Sequence, residues 1–254
     1  MLEVSNLTRY YGGIGAVLDV SFTVRPGEVL GYLGPNGSGK STTVKMLAGL
    51  LPPTRGTIRF GGRNIQDHLL EHKGRVGYVP EEAIVYSYLS AEEYLRLAGR
   101  LRGIPEDRLE RRIERFLTLF DLTAERHSAL ATFSKGMRQK VLLSAALLHD
   151  PTIVILDEPA SGLDVGTMLA LRGVVSGLAR DGRIVFYSSH EMETVEKVCT
   201  RVMILREGRV VADDSVSALR ELTKQSSLED VFTRLAVQED VGRLADGLLE
   251  AMRL

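Results

Sequence analysis

The sequence predicts an α/β protein built on a mainly parallel sheet covered on both sides by helices, with a helical lobe inserted partway along the chain. Three observations lead there. Short apolar runs of strand character, EVLGYLG, RVGYVP, TIVILDE and RIVFYSSH, alternate with segments whose apolar residues recur at helical spacing. Parallel strands joined by helical crossovers need cover on both faces, and the near-continuous hydrophobicity of these runs fits burial on both. From about residue 90 to 133 the alternation stops and the texture becomes helical throughout.

VLDVSFTV alternates with period two and is followed by RPGE, a half-buried strand and a tight turn. EVLGYLG is a buried strand running straight into PNGSGKSTTVKMLAGLL, whose later apolar spacing is helical. GTIRFGG and RVGYVP are short strands bounded by Gly and Pro. SAEEYLRLAGRLRG opens with a possible capping box, Ser90 with Glu93, and EDRLERRIERFLTLF sets Leu109, Ile113, Phe116 and Phe120 on one face with arginines opposite. Arg108, Arg111, Arg112 and Arg115 interleave with Glu106, Asp107, Glu110 and Glu114, so a solvated, paired helix face is expected rather than an RNA surface. After FSKGMRQKVLLSAALL the strand and helix rhythm returns: TIVILDE, a helix from about Val165, RIVFYSSH, a short helix, and RVMILREGRVVADD as a hairpin. The final stretch reads as helical, with Val241, Leu244, Leu248 and Met252 in an amphipathic stripe that packing on its own domain would explain.

At 254 residues, 44% hydrophobic and 26% charged, the chain fits one domain with an appended lobe and is neither disordered nor fibrous. A formal net charge of −1 argues against a nucleic-acid partner held by bulk positive charge. Cys199, the only cysteine, leaves no disulfide framework and is expected as a reduced, partly buried thiol. The beginning, MLEVSNLTRYYGG, lacks the zones of a secretory signal, and no run reaches the ~18 apolar residues of a membrane span.

Three stretches carry chemistry. GPNGSGKST holds the phosphate-loop pattern from Gly34 to Gly39, with Lys40 and Ser41 next. Its glycines let successive N–H groups point at phosphates, Lys40 supplies a point charge, and the Ser41 hydroxyl reaches Mg²⁺. IVILDEP puts Asp157 at the carboxyl end of a central strand, where it can hold Mg²⁺ beside Ser41, and Glu158 one residue on, where it can take a proton from an attacking water. SSH ends the next strand, so His190 emerges on the sheet edge where such folds bind ligands. FSKGM adds a second helix start suited to an anion, with Ser134 and Gly136 just before an apolar-periodic run.

Together these residues resemble the ATP-binding subunit of ATP-binding cassette (ABC) transporters, over nearly all of residues 1 to about 235. The resemblance implies a P-loop nucleoside triphosphatase (NTPase) core with a mainly parallel sheet, an N-terminal antiparallel β subdomain, an inserted helical subdomain and a short helical tail. The expected boundaries are 1–89 with 134–218 for the core, 90–133 for the insertion and 219–254 for the tail. ATP would lie on Gly34, Pro35, Asn36, Gly37, Ser38, Gly39, Lys40, Ser41 and Thr42, with adenine on Tyr11. Mg²⁺ would be held by Ser41 and Asp157, and Glu158, His190 and Lys40 would act in catalysis. The segment Ser161, Gly162, Leu163 and Asp164 matches the family's D-loop, which crosses to a partner subunit.

Two positions depart from the family. Glu81 stands where a Gln is common, adding charge near the metal, and the signature LSGGQ is represented by Phe133, Ser134, Lys135, Gly136 and Met137. Lys135 replaces a Gly, so its side chain is expected to point outward or to add charge near phosphate. The resemblance further implies a head-to-tail dimer, most simply of two identical subunits, in which the signature of each completes the other's site. A separate transmembrane permease would hold the pair at the cytoplasmic face of the membrane. Tyr86 and Tyr88 are either contacts to that permease or plain surface aromatics. The tail SLEDVFTRL is similar to bacterial drug-resistance exporters of the ABC-2 type. Two alternatives stand beside this reading: a soluble ABC ATPase serving an assembly complex, and a zinc protease built on His68, Glu71 and His72 of HLLEH, a pattern expected here to be a solvated helix.

Overall fold

The computed structural model describes residues 1–225, 227–236 and 251–252. Two sheets face each other across a core. The first contains β1 (Leu2–Tyr11), β2 (Ile14–Val24), β4 (Arg55–Phe60) and β5 (Arg63–Asn64), paired antiparallel in the order β2-β1-β4-β5. The second runs β10-β9-β3-β8-β7-β6 and contains β3 (Val29–Leu33), β6 (Val76–Val79), β7 (Ile153–Asp157), β8 (Ile184–Ser188), β9 (Arg201–Arg206) and β10 (Arg209–Asp214). Every pairing in it is parallel except the β9–β10 hairpin.

Burial follows from composition. All five residues of β3, β7 and β8 are buried, as expected where helices and strands cover both faces. One face of this sheet packs on the antiparallel sheet and on α1 (Lys40–Leu47), around the mutually tilted rings of Phe22, Tyr32 and Phe186. The other face carries α6 (Val165–Arg180), α7 (Met192–Val198), α8 (Val216–Thr223) and α9 (Leu228–Ala236).

The lobe between β6 and α5 (Lys135–Leu147) has its own core. Its helix α3 (Ala91–Leu101) begins with the full capping box: Glu93 N–H donates to Ser90 Oγ at 3.2 Å, and Ser90 N–H to Glu93 Oε2 at 2.8 Å. Helix α4 (Glu106–Leu119) buries Leu109, Ile113 and Leu117, so the i, i+4, i+8 row forms the stripe while Phe116 and Phe120 flank it, half-buried. Arg96 reaches Glu92, Glu106 and Glu110, and Arg111 pairs with Asp107 at 3.1 Å, an interleaved charged face.

The structure differs from the sequence reading in two places here. Helix stops at Leu119, and residues 120–134 hold turns and one 3₁₀ turn, Leu130–Thr132. Three residues of that stretch, Leu122, Leu130 and Phe133, are buried in the lobe without helical periodicity. The HLLEH segment lies at the start of α2 (Leu69–Arg75), but His72 is buried, 3% exposed, and not on a solvated face. Of the expected C-terminal stripe, Val241, Leu244 and Leu248 lie outside the described residues.

Candidate functional site

Strand β3 ends at Leu33 and the chain turns through Gly34–Gly39 into α1, so the loop opens at the carboxyl edge of the sheet. Its shape demands glycine. Gly39 has φ +102°, and a Cβ there would stand 2.3 Å from the Ala16 carbonyl oxygen. Lys40 Nζ folds back to donate to the carbonyls of Gly34 at 2.6 Å and Pro35 at 3.1 Å. Thr43, buried beneath, accepts from Tyr32 Oη at 3.1 Å and donates to the Gly39 carbonyl at 3.0 Å, fastening α1 to the strand below.

Strand β8 separates β3 from β7 and pairs in parallel with both, Tyr32 with Ser188 and Asp157 with Ser188. The loop, Asp157 and Glu158 therefore emerge on one edge, together with His190 just past β8. A cavity of about 880 Å³ opens there, walled by Gly34, Lys40, Ser41, Asp157, Glu158 and His190 among others. Glu158 takes φ +48°, a left-handed conformation that costs a non-glycine residue ~1–2 kcal/mol. The turn brings Glu158 Oε2 to 2.9 Å from His190 Nδ1 and 3.4 Å from Ser189 Oγ. His190 is 81% exposed and Glu158 only 12%, so the acid is sheltered and the imidazole is open to solvent.

Electrostatically the edge is overloaded with carboxylates. Burial, and then the neighbouring charges of Glu81 and Glu158, push the Asp157 carboxyl up to about 6, while the Ser188 hydroxyl and Lys40 pull it the other way. Burial lowers the Lys40 ammonium, against the attraction of Glu158, Asp157 and Glu81. Three acids around one lysine are a site that gains by receiving a cation. Oxygen donors from Asp157 and Ser41 fit Mg²⁺, which takes one or two protein ligands and leaves the rest of its shell to water and phosphate oxygens. Among the described residues no three His, Cys, Asp or Glu side chains form a metal cage.

The remaining candidates are distributed as follows. Pro35, Asn36, Gly37 and Thr42 line the cavity. Ser38 does not: it is buried, its hydroxyl lies under Gly34, and its N–H donates to the Pro35 carbonyl at 3.1 Å. Tyr11, 45% exposed, stands outside the cavity wall at the end of β1, with the Arg9 guanidinium 5.0 Å over its ring. Glu81 lines the cavity and also an adjoining one shared with Lys135, Ser161, Glu158 and His190. Ser134 caps α5, its Oγ accepting from Met137 N–H at 3.2 Å, and Ser134, Gly136 and Met137 do not line the phosphate-loop cavity; Met137 packs half-buried against the core of the helical lobe. Asp164 caps α6 through Thr167 at 2.8 Å.

HLLEH has other partners. Glu71 pairs with Arg63 at 3.5 Å and Arg75 at 2.8 Å, and His72 Nε2 lies 2.7 Å from the Leu47 carbonyl, so its acid and its buried imidazole are not arranged around a zinc ion. The sequence reading missed a wall of the cavity: Ala16, Met192, and Glu229, Phe232 and Thr233 of α9. Glu229, Phe232 and Thr233 share a face by their i, i+3, i+4 spacing, but nothing in that spacing tells a cavity wall from an exposed flank.

A glycine-rich loop between a buried strand and a helix, with a buried aspartate two strands away, defines a P-loop NTPase. The profile of the ABC transporter family matches residues 17–161. The linearmycin resistance ATP-binding protein LnrL of Bacillus subtilis (strain 168) is 37% identical over 212 residues, 84% of this chain and 68% of that protein. From the same organism, the ABC transporter ATP-binding protein NatA is 36% identical over 86% of this chain and 89% of its own, and EcsA 34% identical over 95% and 98%. A solved ATP-binding subunit of an ABC transporter superposes with a TM-score of 0.87 at 36% identity, over 92% of this chain and 99% of that one. A dimeric bacterial ABC transporter cassette, 24% identical, shares the fold with a TM-score of 0.78 over 85% and 98%. The chain belongs to the ABC transporter family, as an ATP-binding ATPase subunit.

Proposed function

We propose that this subunit hydrolyses ATP in a head-to-tail dimer and powers a separate membrane permease, as part of an ABC-2-type exporter. The observation that carries the catalytic half is the convergence of Lys40, Asp157, Glu158 and His190 on one cavity, with Glu158 bound to His190 at 2.9 Å. ATP phosphates lie along Gly34–Thr42, met by loop N–H groups and the Lys40 ammonium. Asp157 and the Ser41 hydroxyl would hold Mg²⁺, which would supply positive charge to offset that of the phosphates. Glu158 accepts a proton from the water that attacks the γ-phosphorus. The bond to the bridging oxygen breaks, leaving ADP and inorganic phosphate. His190 orients Glu158 and the γ-phosphate.

Neither Ser134 nor the first turn of α5 lines this chain's own phosphate-loop cavity, and a helix start of that kind stabilises an anion. We assign it to the γ-phosphate of ATP on a second copy. ATP then acts as the adhesive between subunits, and hydrolysis releases them. Residues 90–133 form the lobe that passes this movement on.

A permease contact is supported by a groove of about 290 Å³ between that lobe and the core, lined by Leu50, Tyr78, Tyr94 and Leu101 among others. Leu50 and Leu101 are exposed there, and Tyr86, itself exposed, lies 6.3 Å ring to ring from Tyr94 and 6.1 Å from Tyr88. Exposed aromatic and aliphatic side chains clustered at a groove are what a partner helix buries. Among the described residues no helix is long and apolar enough to cross a membrane, so the spanning part is assigned to another chain. The exporter direction rests on the SLEDVFTRL tail and on LnrL, whose name ties it to linearmycin resistance.

Purification from detergent-solubilised membranes tests the permease: a multi-spanning protein in fixed ratio is expected, and a soluble scaffold in its place would favour an assembly ATPase. Ser134→Arg tests the dimer site. Hydrolysis should fall while ATP binding to the monomer persists, and loss of binding itself would overturn the action across subunits.

A further inference from the structure

Helix α5 is fastened to the loop after Glu158 along one face. Lys135 Nζ donates to Ser161 Oγ at 2.6 Å. The stem of Lys135 crosses Gly162, where a Cβ would lie 3.2 Å from its Cγ and 3.3 Å from its Cδ. Gly136 closes on the same residue, since a Cβ there would meet the Gly162 carbonyl oxygen at 2.3 Å. One turn later the buried Gln139 donates from Nε2 to the Pro159 carbonyl at 3.1 Å, and Lys140 Nζ pairs with Asp164 Oδ2 at 3.2 Å. Positions 135, 136, 139 and 140 fall on one helical face, so the first turn and a half of α5 is joined to residues 159–164.

The chain of contacts reaches the base. Ser161 N–H donates to the Glu158 carbonyl at 3.1 Å, and Glu158 N–H to the Ser188 carbonyl at 2.9 Å. Glu158 keeps its left-handed φ of +48° inside this network, and a strained residue holds its conformation only where its surroundings over-determine it. Glycine, the family's residue at position 135, has no side chain to reach Ser161.

We infer that Lys135 is a positioning residue, which through Ser161 fixes the backbone of Glu158 and links the helix start at Ser134 to this chain's own hydrolytic centre. The inference rests on the reading that the α5 start meets the partner's nucleotide. Docking there then bears directly on the turn that carries Glu158. The ammonium serves the loop within its own chain, and the phosphate across the interface is left to Ser134 and the backbone.

The test is a double-mutant cycle in the full chain with Lys135→Met, Ser161→Ala and both together. One hydrogen bond to a charged donor at an exposed position is worth roughly a three- to tenfold effect. Each single change should lower kcat by about that factor with KM for ATP within about twofold, and the double variant should fall no further. Lys135→Arg, which keeps a donor, should recover most of the rate. A raised KM in Lys135→Met with normal turnover in Ser161→Ala would overturn the inference and assign the lysine to phosphate. A second readout is independent of dimerisation. Amide hydrogen exchange over residues 160–164 of the nucleotide-free monomer should quicken in Lys135→Met, and unchanged exchange would refute the clasp even if Ser134 acts as proposed. Unaltered hydrolysis in Ser134→Arg, with quickened exchange in Lys135→Met, would refute the action across subunits and leave the clasp standing.

Discussion

Replacing Asp157 by Asn should make the nucleotide-free, chelator-treated protein more stable at neutral pH while removing its metal-dependent activity. Asp157 is 2% exposed, and its carboxyl is raised from the usual 3.8 to about 6, first by burial and then by the charges of Glu81 and Glu158. Below pH ~3 the group is protonated whether the chain is folded or unfolded. As pH rises from about 4 to about 6 the unfolded chain releases the proton first, so the folded state binds more protons and loses stability across that window. Above it the folded state carries a buried charge at a constant cost. Two pH units at about 1.4 kcal/mol each give a cost of about 3 kcal/mol at pH 7.5. Asparagine has nearly the same shape and no charge to bury. The assay is urea unfolding of both proteins from pH 4 to 8 in the presence of a chelator, reading the difference between them so that other carboxylates cancel. The expected difference is smallest at pH 4 and approaches about 3 kcal/mol in favour of the variant by pH 7. Equal stabilities at pH 7.5, or a difference independent of pH, would refute the account of a site left overcharged until a cation arrives.

Two further perturbations probe the same edge. Gly39→Ala should cut ATP binding by at least tenfold in an equilibrium titration while the fold survives, because the new Cβ would lie 2.3 Å from the Ala16 carbonyl oxygen at a φ of +102°; wild-type affinity would show that the loop shape is not required. Tyr11→Ala should weaken ATP roughly tenfold or more, the worth of stacking one base on an aromatic ring, and leave the affinity for inorganic triphosphate unchanged. An equal loss for both would remove Tyr11 from the adenine site.

The phosphate loop was legible because its chemistry is contiguous: successive N–H groups, a lysine and a hydroxyl must follow one strand into one helix. The carboxylates and His190 could be placed because strand ends in a parallel sheet share an edge, so position along the chain implies position in space. The Ser90 cap, with its partner Glu93 three residues on, was visible for the same reason. What escaped the sequence depends on contacts between distant residues. Lys135 and Ser161 are 26 positions apart, and no periodicity relates them. Glu229, Phe232 and Thr233 enter the cavity wall because α9 packs on β9 and α7, with Arg206 donating to the Leu235 carbonyl at 3.1 Å and Leu228 N–H donating to Glu196 at 2.6 Å. His72 sits in a segment polar enough to suggest solvent, yet the Leu47 carbonyl gives its imidazole an internal partner, which a hydrophobicity pattern does not register.

In the proposed mechanism two chains share each ATP, and Glu158 removes the proton from the attacking water. Glu158→Gln tests both at once, since it keeps the shape and the contact to His190 but cannot serve as a base at neutral pH. Measured by light scattering on a sizing column with ATP and Mg²⁺, together with turnover of the same sample, the variant should run as a dimer and hydrolyse roughly a hundredfold or more slowly than the parent. A monomer at saturating ATP, or turnover at the parent rate, would contradict the account.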